Sequence, residues 1–147
     1  MKYYIEYYPG KEPTLGSYWS LKYECVEKLS ECDVFINNYH QGYRQVERLY
    51  QAARLGKRII NIGSASSDWT KGHKKQFRYA LEKKALRDAN DALFYEGINT
   101  TILNLGYIDT YRSRNKDVPK MSIEYVESLI LWVLDQPHRI KEITVTS

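Results

Sequence analysis

Short apolar runs and stretches with helical periodicity alternate from one end of this chain to the other. Lys2 to Tyr8 is a β-prone aromatic run closed by Pro9 and Gly10. From Ser20 to Cys32, the apolar residues Leu21, Cys25, Leu29 and Cys32 recur at helical spacing, and Asp33 ends the run just before a short strand, Val34 to Asn37. Tyr43, Val46, Leu49, Tyr50 and Ala53 form one face of a second helix, with Gly56 placed as its C-terminal stop. Arg58 to Ile62 is the next strand. Phe77 to Phe94 reads as a long helix ended near Gly97, and Asn99 to Leu105 as the strand after it. Val126, Leu129, Ile130, Val133 and Leu134 stripe a last helix before Pro137, and Ile140 to Val145 closes the series.

Alternation of this kind is the signature of a parallel sheet with crossover helices, which predicts a three-layer α/β fold with about five strands. No repeat or low-complexity linker divides the chain, so residues 1–147 read as one domain. The irregular stretch is Gly63 to Gly72, where a strand's carboxyl end meets the next helix; in open parallel sheets that edge binds ligands.

Composition adds bounds. The 147 residues are 43% hydrophobic, enough for one sizeable core. The net charge of +4 is mild and does not call for nucleic acid. Cys25 and Cys32, read as lying on one helix, would stand about 10 Å apart, too far for a disulfide. Free thiols and the lack of a long apolar run predict a reducing cytoplasm and no membrane span. Fourteen tyrosines are unusual for this length and suit an interface or a hydrated aromatic surface.

Three segments carry candidate chemistry: Ile59-Ile60-Asn61-Ile62-Gly63-Ser64, Tyr79-Ala80-Leu81-Glu82-Lys83 and Leu105-Gly106-Tyr107-Ile108-Asp109-Thr110. Tyr-x-x-x-Lys by itself says little, since Tyr7/Lys11 and Tyr18/Lys22 also satisfy it. The Tyr79/Lys83 copy is set apart by its neighbours. It follows a strand ending Asn-Ile-Gly-Ser by fifteen residues and precedes a strand ending Gly-x-x-x-Thr. Four residues apart on a helix, the phenol and the ammonium share a face. A nearby ammonium is expected to draw the phenol's pKa down from about 10 toward a working range for proton transfer.

In this joint register the stretch from Asp33 to Ser147 resembles the catalytic half of the short-chain dehydrogenase/reductase family. The resemblance implies hydride transfer between NAD or NADP and a small carbonyl or alcohol. It makes Ser64 the substrate-orienting hydroxyl, Tyr79 the general acid/base, and Lys83 both the group that tunes Tyr79 and a ligand of the nicotinamide ribose. Asn38, Gly106, Ile108 and Thr110 would complete the cofactor contacts. It also implies an N-terminally shortened Rossmann-like sheet. The family's strand order is 3-2-1-4-5-6-7, and a first strand followed by one helix leading into Val34 to Asn37 omits two strands while leaving 1-4-5-6-7 contiguous.

The chain departs from the family pattern at several positions. Its eight glycines contain no Gly-x-x-x-Gly-x-Gly turn for the cofactor pyrophosphate. Asn-Asn-Ala-Gly is replaced by Asn37-Asn38-Tyr39-His40, whose large side chains would fill the adenosine groove. Tyr43, Arg44 and Gln45 stand where a fourth catalytic residue, an Asn, is expected, and Leu105 replaces a Pro. Plainer roles exist for each candidate: Tyr79 and Lys83 as an amphipathic surface pair, Ser64 as a turn residue, Gly106 as a backbone turn, Thr110 as a cap.

A second reading is therefore a non-catalytic relic that assembles through its long helices, Gly42 to Leu55 and Phe77 to Phe94, or binds a partner over an exposed sheet edge. A third is a mononucleotide or sugar-phosphate binder, since Lys71, Lys74, Lys75 and Arg78 crowd a helix start and would suit an anionic small molecule if they are not simply solvated. His40, His73 and His138 stand apart without metal-ligand spacing, so no metal site is expected. No Gly-x-Ser-x-Gly elbow marks a serine hydrolase.

Overall fold

Five parallel strands stand side by side in chain order: β1 (Tyr3–Ile5), β2 (Val34–Asn37), β3 (Arg58–Ser64), β4 (Thr100–Leu105) and β5 (Glu142–Val145). They belong to a computed structural model that describes residues 1–68 and 77–146. Among the described residues four α-helices cover the sheet: α1 (Leu15–Lys22), α2 (Arg44–Arg54), α3 (Phe77–Tyr95) and α4 (Ile123–Leu134). The fold is the expected Rossmann-like α/β arrangement. β1 pairs directly with β2, Tyr3 opposite Val34, so the first strand neighbours the strand that ends at Asn37, as the shortened order requires.

Strand alternation divides the core in two. Ile36, Ile60, Ile62, Leu103 and Leu105 face α1 and α4, where Leu15, Trp19, Val126, Ile130 and Val133 meet them. Phe35, Ile59 and Ile102 face α2 and α3, packing on Leu49, Ala52, Leu86, Ala89 and Leu93. Gly56, at φ +70°, and Gly97, at φ +95°, follow α2 and α3 in the left-handed region that turns the chain out of a helix.

The first helix differs from the sequence reading. It starts earlier, at Leu15, where Thr14 and Ser17 form a reciprocal capping box, and it ends at Lys22. Residues 24–26 are not helical. Tyr3 donates its N–H to the Glu24 carbonyl (2.9 Å), and Val26 donates to the Tyr3 carbonyl (2.8 Å), so this segment lies along β1. The β1 edge, anticipated as open, is covered there. The spacing of Leu21, Cys25, Leu29 and Cys32 only mimics a helical face: Leu21 is 89% exposed, and Leu29 belongs to a separate 3-10 turn, Leu29–Glu31. Both cysteines are free, as expected, although not on a shared helix.

What anchors α1 is Trp19. It is fully buried, stacked on Tyr23 at 4.4 Å and set edge-on to Tyr3 at 5.2 Å. Beside it the buried Glu127 of α4 accepts from the hydroxyls of Tyr18 (2.8 Å) and Tyr23 and pairs with Lys22 (2.9 Å). Several of the tyrosines are thus consumed in docking α1 onto α4.

The buried face of α2 is also rotated from the one anticipated. Gln45, Leu49 and Ala52 point inward, while Tyr43 and Tyr50 are exposed. A run of buried amides crosses the sheet beneath this helix layer. Asn37 Nδ2 donates to Asn61 Oδ1 (2.9 Å); Asn61 Nδ2 donates to Asn90 Oδ1 (3.0 Å) and Thr100 Oγ1 (3.0 Å); Asn90 Nδ2 donates to the Lys141 carbonyl (3.0 Å). Strand β1 stops at Ile5 rather than Tyr8, and Glu6 turns to Arg44 (2.6 Å) and Arg48 (2.8 Å). Among the described residues no helix is long and apolar enough to cross a membrane.

Candidate active site

Strand β3 delivers Ser64 to the carboxyl edge of the sheet, where it pairs in register with Leu105 of β4. The Ser64 hydroxyl is held by Ser66, whose N–H donates to it (3.0 Å) and whose hydroxyl lies 2.6 Å away. Helix α3 brings Tyr79 and Lys83 over the same edge. The Ser64 hydroxyl faces the Tyr79 phenol and favours its ionised form, and the Lys83 ammonium nitrogen stands 5.7 Å from the centre of the Tyr79 ring. The three residues singled out from the sequence do converge.

Lys83 is buried, and its Nζ donates to Gln45 Oε1 (2.7 Å) and to the Ile62 carbonyl (3.1 Å). Gln45 is itself fixed, since its Nε2 donates to the carbonyls of Asn37 (2.8 Å) and Ile62 (3.0 Å). Gln45 thus occupies the neighbourhood expected for the family's Asn, as the side chain that holds the lysine. The sequence reading put Gln45 in that region without giving it a role, because it sits in a polar stretch. Its spacing to Leu49 and Ala52, four and then three residues, is the signal that marks it as inward.

The electrostatics reverse one expectation. Lys83 does not draw the Tyr79 phenol down. Burial raises the Tyr79 pKa above its ordinary 10, against the lowering influence of Arg112 and Ser64. Burial and the nearby Arg112 push Lys83 down to about 7, with Glu82 opposing them. A lysine so depressed carries its charge less firmly than an exposed one and is a weaker source of field.

Other side chains complete the surroundings. The Arg112 guanidinium lies over the face of Tyr79, 4.8 Å from its centre, and the His40 ring meets Tyr79 edge-on at 4.8 Å. His40 Nε2 is 3.8 Å from Glu82 Oε1. Burial, Lys83 and Arg112 together lower the His40 pKa to about 4, so at neutral pH this contact joins a neutral imidazole to the acid and is not an ion pair. Glu82 is buried, and its Oε2 has no hydrogen-bond partner among the described residues.

The positions assigned to a cofactor divide into two groups. Asn38, just beyond β2, and Gly106, Ile108 and Thr110, beyond β4, all lie along the carboxyl edge. Beyond β4 much of the backbone is committed internally. Gly106 N–H donates to the Val145 carbonyl (3.0 Å), and Thr110 N–H to the Ile108 carbonyl (2.8 Å); Thr110 caps a 3-10 turn, Tyr111–Ser113. Lys71, Lys74, Lys75 and His73 lie outside the described residues; Arg78 is exposed. A surface cavity of about 510 Å³ lined by Leu29, Arg48, Arg54 and Leu55 lies at the amino edge of the sheet, away from Ser64.

No protein-family model matches the chain, and no curated protein matches it in sequence. Solved structures do match it in three dimensions. An alcohol dehydrogenase from the archaeon Thermococcus sibiricus, complexed with 5-hydroxy-NADP, superposes with a TM-score of 0.61 at 18% identity, over 78% of this chain and 62% of that one. A short-chain dehydrogenase from Burkholderia cenocepacia in complex with NADP gives 0.61 at 18% identity, over 80% and 61%. The chain has the short-chain dehydrogenase fold. An NADPH-dependent reductase involved in bacilysin biosynthesis gives 0.63 at 16% identity, over 87% of this chain and 78% of its own. The chain spans about three fifths of the length of the first two relatives.

The residues present fit only half of a nicotinamide dinucleotide. On the reacting side, the hydroxyls of Ser64 and Tyr79 and the Lys83 amine form a donor set suited to a carbonyl oxygen and a ribose. On the other side the cradle is filled. The capping box takes up the Thr14 and Ser17 N–H groups at the start of α1, and a Cβ added at Gly16 would meet the Tyr7 side chain at 2.5 Å, so that glycine admits Tyr7 and not a phosphate. Tyr39 stacks on Tyr8 at 5.5 Å, with Arg44 over its ring, where Asn-Asn-Ala-Gly would leave a groove.

Burial of Lys83 and His40 predicts a pH-dependent stability. A lysine with pKa 10.5 unfolded and about 7 folded lets the unfolded chain bind the extra proton between those values, so stability should rise with pH from 7. The rise should end near pH 9, where burial of Cys25 and Cys32 has raised thiol pKa values above 9.0 and ionisation begins to favour unfolding. Below pH 6.5 His40 should cost stability as pH falls toward 4. Urea midpoints measured from pH 5 to 9 should therefore climb, and Lys83→Met should flatten the segment above 7.

Proposed function

We propose that the chain is an oxidoreductase acting on a small carbonyl or alcohol, with Ser64, Tyr79 and Lys83 as its reacting-side residues. The observation that carries this reading is their convergence at the carboxyl edge of β3, on a fold shared with solved structures several of which are complexed with NADP nucleotides. A nicotinamide nucleotide, when bound, supplies or accepts the hydride. The chain's own residues do the rest. Ser64 holds the substrate oxygen, and Tyr79, protonated at neutral pH and made harder to ionise by burial, gives that oxygen a proton in the reductive direction. Lys83, fixed by Gln45, lies below the pair as a ribose ligand.

Because the adenosine side is filled by Tyr8 and Tyr39, a mononucleotide should serve as well as the dinucleotide. The test supplies NADH and reduced nicotinamide mononucleotide, each deuterated at the transferable position, with a panel of small aldehydes, ketones and oxo acids. Deuterium on the carbinol carbon from either donor supports the reading. Its absence from both at millimolar donor ends it.

The filled cradle also favours a second reading, a non-catalytic module that assembles through α2 and α3. Tyr43, Tyr50 and Leu55 near α2 and Leu81 and Tyr95 on α3 are exposed and apolar enough to be covered. That reading requires a dimer by light scattering that is indifferent to nucleotide, together with no deuterium transfer.

A further inference from the structure

We propose that Arg112 anchors a carboxylate on the substrate, so that the site takes short oxo acids and the corresponding hydroxy acids, with the carboxylate one or two carbons from the reacting carbon. The proposal rests on the oxidoreductase reading for the reaction, and on the position of Arg112 for its specificity.

Arg112 belongs to the short turn Tyr111–Ser113, whose ends are tied by Thr110 and Ser113, so its backbone is fixed relative to the sheet edge. Its guanidinium rests on the face of the Tyr79 ring, 4.8 Å from the centre, with the side chain otherwise exposed to solvent. It is therefore held over the ring that carries the reacting hydroxyl, while its N–H groups stay available. Other arginines of the chain have spent theirs: Arg44 and Arg48 on Glu6, Arg87 on Glu142, and Arg139 on the carbonyls of Phe94 and Ile98. Among the described residues Arg112 makes neither a hydrogen bond nor an ion pair, and its guanidinium lies over the Tyr79 ring.

A planar fork with free donors beside a hydroxyl pair is a two-point recognition site. A carbonyl oxygen on Tyr79 and Ser64 leaves the rest of the substrate facing Arg112, where a carboxylate can take two parallel N–H bonds. The field agrees with the geometry. Arg112 lowers the pKa of Tyr79, Lys83 and His40 alike, so its charge reaches the whole centre, and an arriving anion would be drawn in. In the reductive step the hydride adds to the carbonyl carbon, the C=O electron pair moves to oxygen, and the Tyr79 proton goes to that oxygen. The nicotinamide leaves oxidised, and the carboxylate is unchanged throughout.

The test uses pyruvate with methyl pyruvate, and acetoacetate with acetone, on the wild-type chain and on Arg112→Met and Arg112→Lys. The first readout needs no nucleotide: binding by calorimetry, and the Nε–Hε resonance of Arg112 in ¹⁵N-labelled protein, assigned by its loss in Arg112→Met. An acid should bind about tenfold to a hundredfold more tightly than its neutral counterpart, the range for a charge-assisted pair, and shift that resonance. Arg112→Met should remove the preference without weakening the neutral ligand, and Arg112→Lys should restore only part of it. Equal binding of acid and neutral ligand by the wild type, or a preference that survives Arg112→Met, overturns the anchor.

The second readout is deuterium transfer to each substrate. Transfer that ignores the carboxylate and the Arg112 substitutions leaves the oxidoreductase reading standing and defeats the anchor. Carboxylate-dependent binding lost in Arg112→Met, without transfer to any substrate, upholds the anchor and defeats the redox reading.

Discussion

Replacing Tyr79 with phenylalanine is expected to lower hydride transfer to a carbonyl by 10²- to 10⁴-fold, the usual contribution of a positioned proton donor. The substitution removes one oxygen and leaves the ring, so the edge contact from His40 and the stacking of Arg112 persist. Folding should be unaffected, which a thermal melt alongside the kinetics will check. The raised pKa of Tyr79 gives the two directions different pH behaviour. Reduction uses the protonated phenol and should be nearly flat with pH up to about 9. Oxidation needs the phenolate and should climb through the whole alkaline range. A phenylalanine variant within threefold of wild type would show that the proton comes from elsewhere.

The second large effect is on stability. Trp19→Ala should cost about 3–5 kcal/mol, a large share of the roughly 5–15 kcal/mol that holds a domain together. Trp19 is wholly buried, and its loss leaves Tyr3 and Tyr23 facing a void beneath α1. Trp19→Phe should cost much less, about 1.5 kcal/mol or under, for a specific reason. The indole Nε1 is buried and has no hydrogen-bond partner among the described residues, so phenylalanine removes an unsatisfied donor along with the lost packing. Urea denaturation of both variants checks the pair; equal losses would mean that the indole nitrogen is satisfied in solution.

The sheet was legible because its strands carry their own evidence. Val34–Asn37 and Thr100–Leu105 are buried along their whole length, and each carries a consecutive apolar pair or triplet, Val34-Phe35-Ile36 and Ile102-Leu103, of the kind strands buried on both faces show. Tyr79 and Lys83 were legible through their spacing to Ser64 and Gly106, which a crossover of fixed length turns into proximity. The stretch after Leu21 was misread because two cysteines and two leucines fell at helical intervals while serving a strand edge and a short turn. Periodicity could not separate those roles, since what decides them is pairing with Tyr3, a partner more than twenty residues away. The role of Gln45, and Arg112 altogether, were missed for a related reason. One is polar yet buried, the other charged yet stacked on a ring, and neither property is visible until the elements come together. The direction of the Tyr79 shift was misjudged because a sequence shows that a lysine is near but not that it is dry.

Neighbouring strands of a parallel sheet are joined by long crossovers, so no tight hairpin measures how far one may slide against the next. The amides of Asn37, Asn61 and Asn90 with the hydroxyl of Thr100 act as that gauge. A slip of β3 by one residue would swing Asn61 to the opposite side of the sheet and strand three matched groups at once. These four positions should consequently tolerate change only in concert, each single replacement being penalised by the partners it abandons.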